Sequence, residues 1–138
     1  MSVIRVLLVE DEQGIQFIVK LSLERTQRFD VTSFDCGATA LEDLSNCPGQ
    51  YDLALVDFRL PAMHGVDFIR KARTTRGYEN LPAIIISAAL MDPELKALEK
   101  TELLGVISKP FSFRALPERV MELYAGRQEQ TLPNDRGF

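Results

Sequence analysis

Cysteine is scarce: Cys36 and Cys47 are the two in 138 residues, and their spacing matches neither a CxxC pair nor a metal-binding set. A disulfide framework and a thiolate-held zinc are therefore disfavoured, and an inert thiol pair in a reducing compartment is expected. No apolar run approaches the ~20 residues that cross a bilayer. The opening stretch MSVIRVLLVEDE carries no cleavage pattern and meets three acids, Glu10, Asp11 and Glu12, within its first dozen residues. A cytoplasmic chain without membrane contact is expected. Basic residues are not in excess either: 16 Lys and Arg stand against 20 Asp and Glu, scattered, for a formal net charge of −4. That balance leaves no footprint for direct nucleic-acid binding. Neither GxGxxG nor GxxxxGK[ST] follows an apolar run, which argues against a nucleotide-binding loop.

What is present is an ordinary one-domain composition, 46% hydrophobic and 26% charged, arranged as short apolar runs alternating with segments of helical period. Five such units are expected, with strands at VIRVLLV (3–9), DVTSF (30–34), DLALVD (52–57), AIIIS (83–87) and GVIS (105–108). Three of these runs are rich in Val, Ile and Leu with almost no polar alternation, as in strands of a parallel sheet covered on both faces. Helices are expected at about 13–26, where Ile15, Ile18, Val19 and Leu23 share a face, and at about 37–46, 66–76, 92–102 and 112–124. Asp92 followed by Pro93 is a helix start, and Gly126 is placed to end the last helix. The polar stretch after it reads as a tail or the start of a linker, so a domain is expected over 1–125 and the tail over 126–138.

In an open parallel sheet the strand C-termini line one edge, and ligand chemistry gathers outside it. Glu10 and Asp11 follow the first strand, Asp57 ends the third, Ser87 ends the fourth and Lys109 follows the fifth, so residues far apart in sequence converge. Three carboxylates within about 5 Å repel by roughly 3 kcal/mol per pair at an effective dielectric near 20, so the cluster calls for a cation. Hard oxygen ligands suit Mg²⁺, with Mn²⁺ as an alternative.

The segments LLVEDE (7–12), LVDFRLPAMHG (55–65), IIISA (84–88) and SKPF (108–111), in this order, closely resemble the receiver, or phosphoacceptor, domain of two-component response regulators of the chemotaxis type. The resemblance covers residues 3 to about 125. It implies a flavodoxin-like (βα)5 three-layer α/β sandwich with a five-stranded parallel sheet in the order 2-1-3-4-5. It implies that Asp57 accepts a phosphoryl group from a histidine kinase or histidine phosphotransfer protein. It implies too that Asp11 binds Mg²⁺ directly, Glu10 through water, and the backbone carbonyl of Arg59 as a further ligand beside Asp57. Lys109 then matches the lysine that pairs with the carboxylate and the phosphoryl group, Ser87 the hydroxyl that bonds a phosphoryl oxygen, and the Lys109–Pro110 peptide one that is usually cis. Output through the face of the fourth helix, fifth strand and fifth helix follows, to a protein target, an output domain or a second copy. The only chemistry implied is self-phosphorylation from a phosphodonor and its reversal, not an enzyme of other substrates.

Two departures from the family pattern stand out. Val106 occupies the place, three before the lysine, where the family usually has an aromatic ring that turns inward, so the signal is expected to be read from the loop Ala88 to Met91, including Ala89, and from the fourth helix. Glu10 replaces the commoner Asp, and its extra methylene still permits water-mediated contact with the metal. Arg59 and Ala89, two residues beyond Asp57 and Ser87, match the positions that the resemblance implies tune phosphoryl lifetime; Arg59 either reaches the phosphoryl group or Glu10, or is simply solvated. His64 has no role in this reading and is expected to be exposed. Two rival classes remain: a phosphorylation-independent binding module of the same fold, and a Mg²⁺-dependent aspartate phosphatase, which would want an acid where Arg59 stands.

Overall fold

The computed structural model describes the backbone of residues 2–135 and the side chains of residues 2–127. The elements are β1 (Ile4–Val9), α1 (Gln13–Glu24), β2 (Phe29–Phe34), α2 (Gly37–Asn46), β3 (Leu53–Asp57), α3 (Gly65–Ala72), β4 (Ala83–Ser87), α4 (Pro93–Thr101), β5 (Gly105–Ser108) and α5 (Leu116–Asp135). Runs such as Leu53–Val56 and Ala83–Ile86 have no polar side chain to offer water, and every residue of β3 and β4 is buried. All pairings are parallel and the strand order is β2-β1-β3-β4-β5, as expected.

Alternation along each strand divides the core into two layers. Leu7, Val9, Val56 and Ile85 pack with Leu44 of α2, Phe68 of α3 and Leu95 of α4. Val6, Leu8, Leu55, Ile84 and Ile86 pack with Val19 and Leu23 of α1 and Val120 of α5. The sheet is thus the middle of three layers. Its register sets Val9 beside Val56, Asp57 beside Ile86 and Ser87 beside Ser108, which brings the C-terminal ends of four strands to one edge.

Helix ends depart from expectation where side chains compete for the backbone. α4 opens as expected, with the Asp92 carboxylate accepting from the Glu94 and Leu95 amides at 2.9 and 3.3 Å. α1 stops at Glu24, because the Thr26 hydroxyl donates to the Leu23 carbonyl at 2.8 Å. Its buried face includes Ser22 and not Ile18, which is 38% exposed. α3 stops at Ala72 and not near Arg76, since the Thr74 hydroxyl donates to the Lys71 carbonyl and the Arg73 guanidinium turns to the Leu81 carbonyl. Ser112 caps a preliminary turn through the Ala115 amide, so α5 proper begins at Leu116.

Gly126 does not end α5, which runs on to Asp135. A glycine inside a helix costs only about 1 kcal/mol, and the next residue supports the turn: Arg127 donates to the Tyr124 carbonyl at 2.7 Å and stacks 3.7 Å over its ring. The boundary expected after residue 125 therefore lies within a helix, and residues 136–138 of the expected tail lie outside the described residues. Among the described residues no helix is long and apolar enough to cross a membrane.

Candidate functional site

The edge formed by the four strand ends carries the acids and the cation together. Glu10 follows β1 and is fully buried, Asp57 ends β3 with 6% of its surface open, and Asp11 is exposed. One carboxylate oxygen from each lies within 4.8 Å of the others. Lys109, just after β5, reaches into this cluster, with Nζ 3.1 Å from Glu10 Oε1 and 3.2 Å from Asp57 Oδ1. Its own amide donates to the Ser87 carbonyl at 2.9 Å, so the lysine is launched from a fixed backbone, and the Lys109–Pro110 peptide is cis.

Packing beneath the site is equally constrained. Gly65, at the start of α3, donates its amide to the Phe58 carbonyl at 2.9 Å, and a Cβ there would stand 2.4 Å from the Asp57 carbonyl oxygen. Only a glycine allows that approach. Between the two, Ala62 holds φ at 64°, a left-handed conformation that alanine rarely adopts and that marks strain in the loop next to the site.

Electrostatically the cluster is under-neutralised. Burial, opposed by Lys109, holds the Glu10 and Asp57 carboxyls above the usual carboxylate range, and each is pushed the same way by a neighbouring acid. Burial pulls the Lys109 ammonium down, but Glu10 and Asp57 outweigh it and raise its pKa. Glu10 Oε2 accepts from the Glu12 amide at 3.2 Å, whereas the buried Oε1 has no hydrogen bond and only the ammonium beside it. A buried acceptor left in this way, among three converging carboxylates, is the donor set of a hard divalent cation. The residues present fit such an ion.

The other expected residues fall around this centre. Ser87 is buried, and its Oγ accepts from the Ala89 amide at 2.8 Å, tying the hydroxyl to the start of the loop that runs to Met91. Ala88, Leu90 and Met91 are exposed, and Ala89 is half-buried against the core. Arg59 is exposed, with its guanidinium 5.8 Å from the Phe58 ring centroid and turned to that ring, not to Glu10. Val106 is half-buried in a groove of about 500 Å³ with Leu90, Leu95, Phe111 and Leu116. His64 is exposed, as expected.

Sequence reasoning missed Gln16, whose side-chain amide donates to the Glu10 carbonyl at 2.6 Å. No local signal separates it from Gln13, because the contact depends on where α1 rests against the end of β1. It missed as well the tie between α1 and the segment after Lys109, made by the Ser22 hydroxyl to the Phe113 carbonyl at 2.6 Å and by Arg25 to the Arg114 carbonyl at 3.0 Å.

With this geometry in place, comparison with known proteins gives a consistent family. A family model described as the response regulator receiver domain matches residues 6–121. The chain is 25% identical over 120 residues to the chemotaxis protein CheY of Pseudomonas aeruginosa, which takes in 87% of this chain and 95% of that one. It is 27% identical over 136 residues to the cyclic di-GMP phosphodiesterase response regulator RpfG of Xanthomonas campestris pv. campestris, covering 98% of this chain and 35% of that protein. Among solved structures, a CheY-like receiver domain protein from Methanospirillum hungatei superposes with a TM-score of 0.78 at 25% identity, over 94% of this chain and 99% of that one. The receiver domain of a Pseudomonas aeruginosa sensor histidine kinase, which has a magnesium ion coordinated in its active-site cleft, superposes with a TM-score of 0.75 over 90% and 99% of the two chains; at 22% identity that likeness is one of fold. The chain belongs to the response regulator receiver domain family, CheY-like in fold and in sequence.

Proposed function

We propose that this receiver domain is a Mg²⁺-dependent phosphoacceptor that takes its phosphoryl group from a histidine kinase or phosphotransfer protein onto Asp57. The observation that carries the reading is the convergence of Glu10, Asp11 and Asp57 within 4.8 Å, with Lys109 Nζ 3.2 Å from Asp57. An Asp57 oxygen attacks phosphorus, the nitrogen–phosphorus bond of the phosphohistidine breaks, and the imidazole leaves with the bonding electrons. Glu10, Asp11, Asp57 and the Arg59 carbonyl would hold Mg²⁺, which when bound would neutralise charge on the transferring oxygens. Lys109 stays as the fixed cation of the site, and the Ser87 hydroxyl, whose oxygen accepts from the Ala89 amide, has its proton to donate to a phosphoryl oxygen. That Mn²⁺ would serve instead rests on ligand chemistry alone.

Movement of the loop from Ala88 to Met91 then alters the face of α4, β5 and α5, which binds a protein target, an output domain or a second copy. The apolar side chains that α1 leaves open, Phe17 at 63%, Ile18 at 38% and Leu21 at 47%, support docking of the phosphodonor on that helix. The chain performs no chemistry beyond accepting and losing its phosphoryl group, and the arginine at position 59 denies it the general acid of an aspartate phosphatase. Intact mass after incubation with acetyl phosphate tests the reading. One added phosphoryl group that requires both Mg²⁺ and Asp57 is expected; no gain with Mg²⁺ bound would favour the phosphorylation-independent binding module.

A further inference from the structure

We infer that Gln16 is a positioning residue for the metal site, an inference that rests on the reading of Glu10, Asp11 and Asp57 as Mg²⁺ ligands. The β1 ladder ends at Val9, paired with Phe34 on one side and Val56 on the other. Glu10 keeps one further bond, its amide to the Phe34 carbonyl at 3.0 Å, and beyond that the sheet offers nothing to the segment 10–12. At this point the side chain of Gln16, at the start of α1, takes over beside the helix's own first backbone bond. The side-chain amide donates to the Glu10 carbonyl at 2.6 Å, and the Gln16 backbone amide donates to the Glu12 carbonyl at 3.0 Å. The second is the first i→i−4 bond of α1 and does not depend on the side chain; the glutamine side chain itself holds the Glu10 carbonyl, on the N-terminal side of Asp11.

This matters because the Asp11 carboxylate is exposed and has no hydrogen bond or ion pair among the described residues, so its aim depends on the backbone that carries it. The Glu12 amide, in the same clamped segment, donates to Glu10 Oε2 at 3.2 Å and orients the second acid. Groups that orient ligands in this way are typically worth about 10–100-fold in metal affinity. If Gln16 merely satisfied a buried carbonyl, its loss would lower the unfolding midpoint and leave metal affinity of the folded protein untouched.

The test is a Mg²⁺ titration of folded protein followed by amide chemical shifts, comparing the unaltered chain, Gln16→Met, which keeps the length without the donor, and Gln16→His at pH 8, where a neutral imidazole restores a donor. Roughly tenfold weaker Mg²⁺ binding is expected for Gln16→Met, with recovery in Gln16→His. Should Gln16→Met fail to fold, Gln16→Asn, whose amide is too short to reach, takes its place with the same expectation. Equal dissociation constants in the unaltered chain and the Met variant, or a loss that Gln16→His does not restore, would overturn the inference alone. Absence of Mg²⁺ binding by the unaltered chain would overturn it together with the metal reading.

Discussion

Replacing the phosphoacceptor by its neutral isostere, Asp57→Asn, should stabilise the metal-free protein. Asp57 meets Glu10 and Asp11 with oxygens within 4.8 Å, and Lys109 Nζ at 3.2 Å. At an effective dielectric near 20, each like-charge contact at that distance costs about 3.5 kcal/mol and the lysine contact returns about 5 kcal/mol. The ionised carboxylate is thus opposed by about 2 kcal/mol before burial is counted, in line with a pKa held above the usual range by burial against Lys109. The sign with pH follows from linkage: a carboxyl whose folded pKa is raised favours the folded state at low pH, and that stability is lost as pH rises through the raised value. The advantage of Asp57→Asn should therefore be absent well below the ordinary carboxylate range and grow as pH rises to neutrality. Denaturation followed by far-UV circular dichroism at pH 3.5 and pH 7.5 measures it, with an upward shift in midpoint of about 7 °C expected at the higher pH. Mg²⁺ at a hundred times its dissociation constant should add about 2.7 kcal/mol to the unaltered chain and less to the variant, which narrows the gap. A variant that is less stable than the unaltered chain at pH 7.5 without metal would refute this electrostatic description of the site.

Gly65→Ala should destabilise by about 1–3 kcal/mol through overpacking against the Asp57 carbonyl, and slow phosphorylation from acetyl phosphate as the strand end is displaced; denaturant titration and intact mass check the two effects. Lys109→Met should lose about 3 kcal/mol of metal-free stability by leaving buried carboxylates unpaired, yet bind Mg²⁺ more tightly because a competing cation is gone; calorimetric titration with MgCl2 decides. Ser87→Ala should leave phosphorylation intact but abolish the amide-shift changes from Ala88 to Met91 that a phosphoryl mimic induces, and changes confined to the metal pocket in the unaltered chain would remove the loop from the switch.

Much of this was legible in the sequence because parallel strands covered on both faces must be apolar along their length, and β3 and β4 are so up to their last residues, Asp57 and Ser87. The acids were legible for the same reason: a charge closing such a run, as Asp57 does, has to sit at the sheet edge. Less legible were the ends of helices, where Thr26, Thr74 and Arg73 divert backbone groups that periodicity assigns to the helix. Gly126 misled because a glycine signals a stop only when nothing beyond it favours another turn. Contacts between distant segments, such as Gln16 on the Glu10 carbonyl or Ser22 on Phe113, leave no local pattern, since they exist only once the layers have packed.

The central claim is that the acyl phosphate forms on Asp57 and nowhere else. Borohydride reduction of the protein after Mg²⁺-dependent phosphorylation, followed by peptide mass mapping, tests it directly, because reduction converts an aspartyl phosphate to homoserine. Homoserine at position 57, absent when Mg²⁺ is omitted, is the predicted result. Homoserine at position 11, or 2-amino-5-hydroxypentanoic acid at position 10 or 12, with position 57 unmodified, or a phosphoryl group that resists reduction, would contradict it.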